Sequence, residues 1–206
     1  MVKKIFCIMG YMGSGKDTLV RNASEILGDK VKVLVSHTTR PMRKGEKEGR
    51  EYYFIDNKEF LKMMEYNAFV ENRKYNTKVE EDGKIMDATW FYGLSVEEVE
   101  SSEYGIFIVD AEGFDQLKER YGRNVVVPIF INVKEEVLRE RALARGDLAE
   151  EVERRLRDDK TRFFNFRVNI VYKTIKNEGN IEDATNELVG YIAKEMRMNV
   201  PCKKRK

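Results

Sequence analysis

The sequence predicts an α/β fold, a parallel sheet with helices on both faces. Three observations predict it. Short apolar runs of strand length recur along the 206 residues. Stretches with helical spacing of apolar side chains lie between those runs. The two kinds alternate, strand then helix then strand, which is the order of parallel strands joined by crossover helices.

The elements follow in chain order. Residues 2–9 make a short buried strand rich in Ile, Phe and Cys, broken by Gly10. Leu19, Ala23 and Leu27 then recur four apart with Val20 alongside, one helical stripe that Gly28 closes. Residues 31–35, 104–109 and 125–133 are further apolar runs, and 168–171 (VNIV) supplies a fifth strand. Helices are expected over 56–65, 95–101, 114–121, 134–145, 148–161 and 181–195. The stretch 36–102 breaks this rhythm, and its length and polar-aromatic character predict an inserted subdomain. The length suits one compact domain with small insertions.

Composition narrows the class. Lys and Arg number 38 against 36 Asp and Glu, and a formal net charge of +2 gives no reason to expect a nucleic-acid partner. Two cysteines, Cys7 in an apolar run and Cys202 in a polar tail, are too few for a disulfide framework and predict a reducing, cytoplasmic setting. No apolar run reaches the roughly 18 residues of a membrane helix. The N-terminal KKIFCIMG is too short for the apolar region of a signal peptide. The C-terminal CKKRK is read as a solvated tail, with contact to a membrane or nucleic acid as the alternative.

The first motif is MGYMGSGKDT, residues 9–18. Gly10, four residues, then Gly15-Lys16, between a predicted strand and a predicted helix, is the context of a phosphate-binding loop. Glycines let backbone N–H groups turn toward phosphate, the helix N-terminus adds partial positive charge, and Lys16 adds a full one. A hydroxyl residue usually follows such a lysine and meets Mg²⁺; here Asp17 follows, and Thr18 comes after it. A carboxylate beside phosphates repels them unless a divalent cation lies between, so Asp17 is the expected Mg²⁺ ligand, directly or through water. Thr18 either adds to the site or points into the protein.

The second motif is SHTTRPMRKGEKEGREYYF, residues 36–54. Arg40 and Arg43 flank Pro41, which forbids a regular helix, and the spacing can aim two guanidinium groups at one phosphate. Tyr52 or Tyr53 can add a phenol donor. Taken alone, the stretch also fits a basic surface loop.

Together with the upstream loop, this stretch resembles the nucleoside-monophosphate-binding segment of guanylate kinases, roughly S-x-T-T-R-x-x-R-x-G-E-x-x-G-x-x-Y-x-F. Ser36, Thr38, Thr39, Arg40, Arg43, Gly45, Glu46, Gly49, Tyr52 and Phe54 meet every fixed position. The resemblance extends to about residue 195. It implies a P-loop NTPase core (1–35, 103–140 and 163–200), an inserted nucleotide-acceptor subdomain (36–102) and a helical lid (141–162), followed by the basic tail 201–206. It also implies that Ser36 contacts guanine and that Arg40, Arg43 and Tyr52 hold the phosphate of GMP. In AFVE, Glu71 matches the family glutamate, whose carboxylate can accept from guanine N1–H and the 2-amino group.

Tyr92-Gly93-Leu94-Ser95 matches the family's tyrosine, glycine, hydroxyl pattern, except that Leu94 stands where the hydroxyl reads the base. Either Ser95 substitutes, or guanine selectivity is weakened. Tyr92 joins the phosphate clamp. The preceding stretch 75–91 is longer than usual, and Asp82-Gly83 predicts a hairpin turn there. Asp110 matches the second aspartate of the family's D-x-D-x-Q-G, while Ile108 and Glu112 replace the first aspartate and the glutamine. The carboxylate lost at Ile108 is paired, in this reading, with the one gained at Asp17.

Arg141, Arg145 and Arg155 match the lid arginines, which the resemblance implies close over the phosphates; in isolation they fit a solvated helical face. Asn177 matches an asparagine near the adenine of ATP. The resemblance thus implies ATP contacts at Gly10, Gly13, Ser14, Gly15, Lys16, Asp17, Thr18 and Asn177. His37, without a visible partner, is expected to be a loop side chain, and Trp90 to pack in the hairpin. The expected activity is transfer of phosphate from ATP to GMP, with Mg²⁺ as cofactor and small-molecule substrates, rather than a nucleic acid or a membrane, as partners. The alternatives are a kinase for ribose 1,5-bisphosphate or a deoxynucleotide, and a guanylate-kinase-like module that only binds proteins.

Overall fold

Lys4–Met9 (β1) is buried from Ile5 onward, as a strand covered on both faces must be. The computed structural model describes residues 1–81, 84–169 and 172–198. Contacts divide the chain into two compact units, one of Lys3–Val33 with Tyr104–Lys206, the other of Met1–Val2 with Leu34–Glu103.

In the first unit β1 is the centre of a five-stranded sheet. It pairs in parallel with Tyr104–Ile108 (β7) and Val126–Asn132 (β8), with Ile5 opposite Gly105 and Val126. Lys32–Val33 (β2) pairs with β7, and Lys173–Lys176 (β9) with β8, all parallel. The strand order is β2-β7-β1-β8-β9. Lys16–Leu27 (α1) buries the expected stripe of Leu19, Val20, Ala23 and Leu27. Ile181–Glu195 (α7) buries Leu188 and Ile192, and both helices join Phe6, Ile8 and Ile129 in the main core. A second, aromatic layer forms where Phe114 of Ala111–Tyr121 (α4) meets Phe166, and Phe163 meets Phe130.

Two expectations are corrected. The fifth strand was placed at 168–171, but Ala149–Asn169 (α6) runs through Asn169, and the strand is β9. Phe163 and Phe166, three apart, carry the aromatic stripe one turn further along the helix, and Ile175 takes the buried strand position opposite Ile131. Ile170 and Val171 lie outside the described residues, as do Asp82, Gly83, Cys202 and the basic tail. The run 31–35 is a strand only at Lys32–Val33, because Leu34 and Val35 leave the sheet and are buried in the second unit, where Val35 N–H donates to Glu98 Oε1 at 3.0 Å.

Glu135–Ala144 (α5) ends in a left-handed Gly146, φ 93°, whose N–H reaches back to the Leu143 carbonyl while Asp147 N–H bonds Ala142. This reversal starts α6. Among the described residues no helix is long and apolar enough to cross a membrane.

The second unit is a four-stranded sheet of order β4-β3-β6-β5. His37–Thr38 (β3) runs parallel to Tyr53–Phe54 (β4) and antiparallel to Lys84–Ser95 (β6). Phe69–Glu81 (β5) pairs with β6 along a long hairpin, from Phe69↔Ser95 to Glu81↔Lys84. Its core stacks Phe60, from Asn57–Glu65 (α2), on Phe69 and Phe91, ring centroids 4.5 and 5.3 Å apart. Gly93 is required beneath them: a Cβ there would lie 2.7 Å from Phe69 Cδ1. Asp56 caps α2 by accepting from Glu59 N–H at 2.7 Å. Trp90 faces Tyr75 across the hairpin. His37 is a strand residue rather than a loop one, between the rings of Tyr53 and Phe69. Burial holds its pKa below the usual value, against the pull of Glu98 and the Gly93 backbone.

Candidate active site

The phosphate loop joins β1 to α1, and its conformation depends on glycine. Gly13 and Gly15 have φ of 72° and 82°, left-handed values that strain other residues. Added Cβ atoms would lie 2.7 Å from the Ile131 carbonyl at Gly10 and 2.7 Å from Asn177 Nδ2 at Gly15. Ser14 is fully buried, its N–H donating to the Tyr11 carbonyl, and its Oγ has no hydrogen-bond partner among the described residues. Lys16 Nζ donates to the Gly10 and Tyr11 carbonyls at 2.8 and 3.0 Å, so its charge is held across the turn. Burial lowers its pKa, and Asp17 and Asp159 pull the other way.

Asp17 is exposed on the first turn of α1, and Thr18 beside it is half-buried. Among the described residues no group of three His, Cys, Asp or Glu side chains could by itself hold a metal ion. Any cation here takes most of its ligands from phosphate and water, and one exposed carboxylate suits a hard ion such as Mg²⁺.

Asn177 is buried and grips the loop. Its Nδ2 donates to the Ser14 carbonyl at 2.8 Å, and its own carbonyl accepts from Arg141 Nη2 at 2.9 Å. Arg141 also reaches the Gly13 carbonyl at 3.5 Å. Sequence reasoning had no signal for this brace, because both partners are backbone carbonyls. Arg145, at the end of α5, pairs with Asp147, which raises its pKa with a further contribution from Asp17. Arg155 on α6 donates to Glu151 Oε1 at 2.5 Å. Glu151 is pulled down to about 2 by its bonds to Arg154 and Arg155, which outweigh burial. Asp110 caps α4, accepting from Gly113 N–H at 2.8 Å, and Glu112 after it is exposed.

The second unit gathers most of the residues that the sequence assigns to an acceptor. Arg40 is 4% exposed, and its Nη2 donates to both oxygens of Glu46, at 2.7 and 3.0 Å. Glu46 also accepts from the Arg43 backbone N–H at 2.8 Å. Burial works against the charge of Arg40, but Glu46 and then Tyr92 outweigh it and raise the pKa. The guanidinium lies 5.4 Å from the Tyr52 ring centroid and 5.7 Å from that of Phe54. Tyr52 meets Tyr92 edge-on at 5.6 Å. Thr38 and Thr39 tie this segment to β6 through the Phe91 backbone. Glu46 met the sequence pattern without an assigned task; it holds both arginines' segment together.

Glu71 is buried opposite Leu94 in the ladder, and Arg73, two residues on and therefore on the same face, lies opposite Tyr92. Leu94 is fully buried. Ser95 caps Val96–Glu100 (α3), its Oγ accepting from Glu98 N–H at 3.2 Å. Ser36 is half-buried at the start of β3, where its carbonyl accepts from Tyr53 N–H.

Comparison with known proteins gives this arrangement a family. The guanylate kinase pattern matches residues 2–195. The guanylate kinase of Hyphomonas neptunium is 31% identical over 180 residues, covering 80% of this chain and 76% of that protein. That of Legionella pneumophila strain Lens is 35% identical over 129 residues, but the match spans only 56% of this chain and 61% of that protein. The crystal structure of guanylate kinase from Anaplasma phagocytophilum superposes with a TM-score of 0.63 at 26% identity, covering 94% of this chain and 86% of that one. With the loop, the twin-arginine segment and the parallel sheet all in place, this chain belongs to the guanylate kinase family.

Proposed function

We propose that the protein transfers the terminal phosphate of ATP to GMP, giving ADP and GDP. One observation carries the reading furthest: Arg40, aimed by Glu46 and packed on Tyr52, which meets Tyr92 edge-on, forms a prearranged cationic and phenolic site for an acceptor phosphate. The phosphate loop alone would suit many nucleotide-binding proteins.

In this reading the loop amides and Lys16 take the donor phosphates, and the α1 N-terminus adds its partial charge. Asp17 would hold Mg²⁺, directly or through water, and the ion would supply positive charge against the donor phosphates. Arg145 and Arg155 are exposed and paired with the half-buried carboxylates of Asp147 and Glu151, and ion pairs at the surface are worth about 0–1 kcal/mol, so moving to phosphate costs little. Arg141 stays with the loop. Arg40, Arg43, Tyr52 and Tyr92 fix the acceptor phosphate, while Ser36, Glu71, Ser95 and Asp110 serve the guanine. Asn177 near adenine is retained as part of the same reading. Residues 36–102 are the acceptor subdomain and 141–162 the lid. Little covalent assistance is required, because phosphoryl transfer depends on positioning and charge. Cys7, a buried free thiol, suits a reducing compartment such as the cytoplasm.

A second acceptor is favoured by one observation. Leu94 is buried where the family's hydroxyl reads the base, so monophosphates of other bases compete with GMP in this reading. The test is ADP release from ATP and Mg²⁺ with GMP, dGMP, AMP, other monophosphates and ribose 1,5-bisphosphate offered separately. GMP or dGMP is expected to dominate. Turnover with none of them would sink the reading.

A further inference from the structure

Asp159 lies on α6, and its Oδ2 accepts a hydrogen bond from the backbone N–H of Met12 at 2.6 Å. Met12 is inside the glycine loop, so a carboxylate from a helix far along the chain is docked on the loop's own backbone. That carboxylate and Lys16 are close enough to act on each other's charge. A loop N–H and the loop lysine are what an incoming phosphate requires. The carboxylate is half-buried, and burial pushes its carboxyl up against the pull of the Met12 N–H and the Lys16 and Arg162 charges.

Resting on the reading of this loop as the donor site, we propose that Asp159 is a determinant of donor affinity. In the empty protein its carboxylate stands at the loop, where the donor's phosphate chain binds, and it must give way when that chain arrives. Two anions held near one ammonium in a poorly solvated site repel each other strongly. Without a ligand, Asp159 also offsets the charge of a lysine that burial disfavours. Because Arg155 shares α6 with Asp159, displacement by phosphate acts on the same helix that carries the arginine.

Asp159→Asn keeps an oxygen acceptor for Met12 N–H and removes the charge. The measurement is calorimetric titration of the full chain with inorganic tripolyphosphate, ATP and, as a control without phosphate, adenosine, each in Mg²⁺ and in chelator. The expected result is about a tenfold lower Kd for tripolyphosphate and ATP in both media, with adenosine unchanged. An unchanged or higher Kd overturns the proposal. A higher Kd confined to Mg²⁺ also overturns it and makes Asp159 a partner of the cation. Wild-type protein that binds neither ATP nor tripolyphosphate overturns the donor reading itself, a result visible before any variant is compared. If the Asn variant does not fold, Asp159→Ser is titrated in the same way.

Discussion

At the residue scale, the proposed acceptor site is set by a carboxylate that never needs to touch the acceptor. Arg40 would have many rotamers if it were unpaired, and ordering such a side chain costs up to about 2 kcal/mol. Glu46 removes that cost in advance with two charge-assisted bonds to Nη2 and a third to the Arg43 backbone. Glu46→Gln keeps the shape and loses the charge. Charge-assisted bonds are worth about 1.5–3 kcal/mol, so KM for GMP is expected to rise about ten- to a hundredfold while KM for ATP stays put. Steady-state kinetics with each substrate varied separately decides it. A fall in KM for GMP would mean instead that Glu46 competes with the acceptor for Arg40.

At the element scale, the junction of β1 and α1 holds its shape because the loop before the helix is clamped by Asn177, the residue after β9. Gly15 has φ 82°, and a Cβ there would meet Asn177 Nδ2 at 2.7 Å, the same nitrogen that bonds the Ser14 carbonyl. Gly15→Ala therefore strains the backbone by about 1–2 kcal/mol and pushes away the brace. The midpoint of thermal unfolding should fall by about 2–8 °C, with donor binding weakened. An unaltered midpoint would show that the brace is dispensable. Much of this junction is legible in the sequence. The strand, the helix stripe and the glycine spacing are local signals, and 181–195 is a helix over the expected range. Asn177 and Asp159 are not legible in these roles, because each acts on loop backbone from more than a hundred residues away and no spacing rule marks such a contact. The fifth strand was misplaced for a related reason. VNIV has strand composition, but the stripe set by Phe163 and Phe166 extends the helix into it. The hairpin of β5 and β6 is legible in Asp82-Gly83 between extended segments, whereas the shortness of β2 reflects where Leu34 and Val35 are buried, a tertiary fact.

At the scale of the whole molecule, the chain interrupts one sheet to build another. Among the described residues, the main core cluster draws on the first unit, from Phe6 to Met196, and on none of residues 34–103. The second unit has its own stack of Phe60, Phe69 and Phe91. The chain leaves the first unit at Val33 and re-enters at Tyr104, and Val33 pairs with Ile106 in the sheet. Those strands are parallel, so a linker must run back along the strand as well as across to its neighbour, which takes a crossover of about a dozen residues or more. Loop-closure entropy grows slowly with length, so such a linker costs little more than a shorter one. Replacing residues 35–102 by a Gly-Ser linker is therefore expected to leave a protein that unfolds in one cooperative step and still binds ATP. It should transfer no phosphate to GMP, because Arg40, Glu46, Tyr52 and Glu71 are gone. Circular dichroism melting and nucleotide titration test both halves of this expectation. A broad, non-cooperative melt would mean that the sheet around β1 depends on the inserted unit for its stability, despite a core to which that unit contributes no side chain.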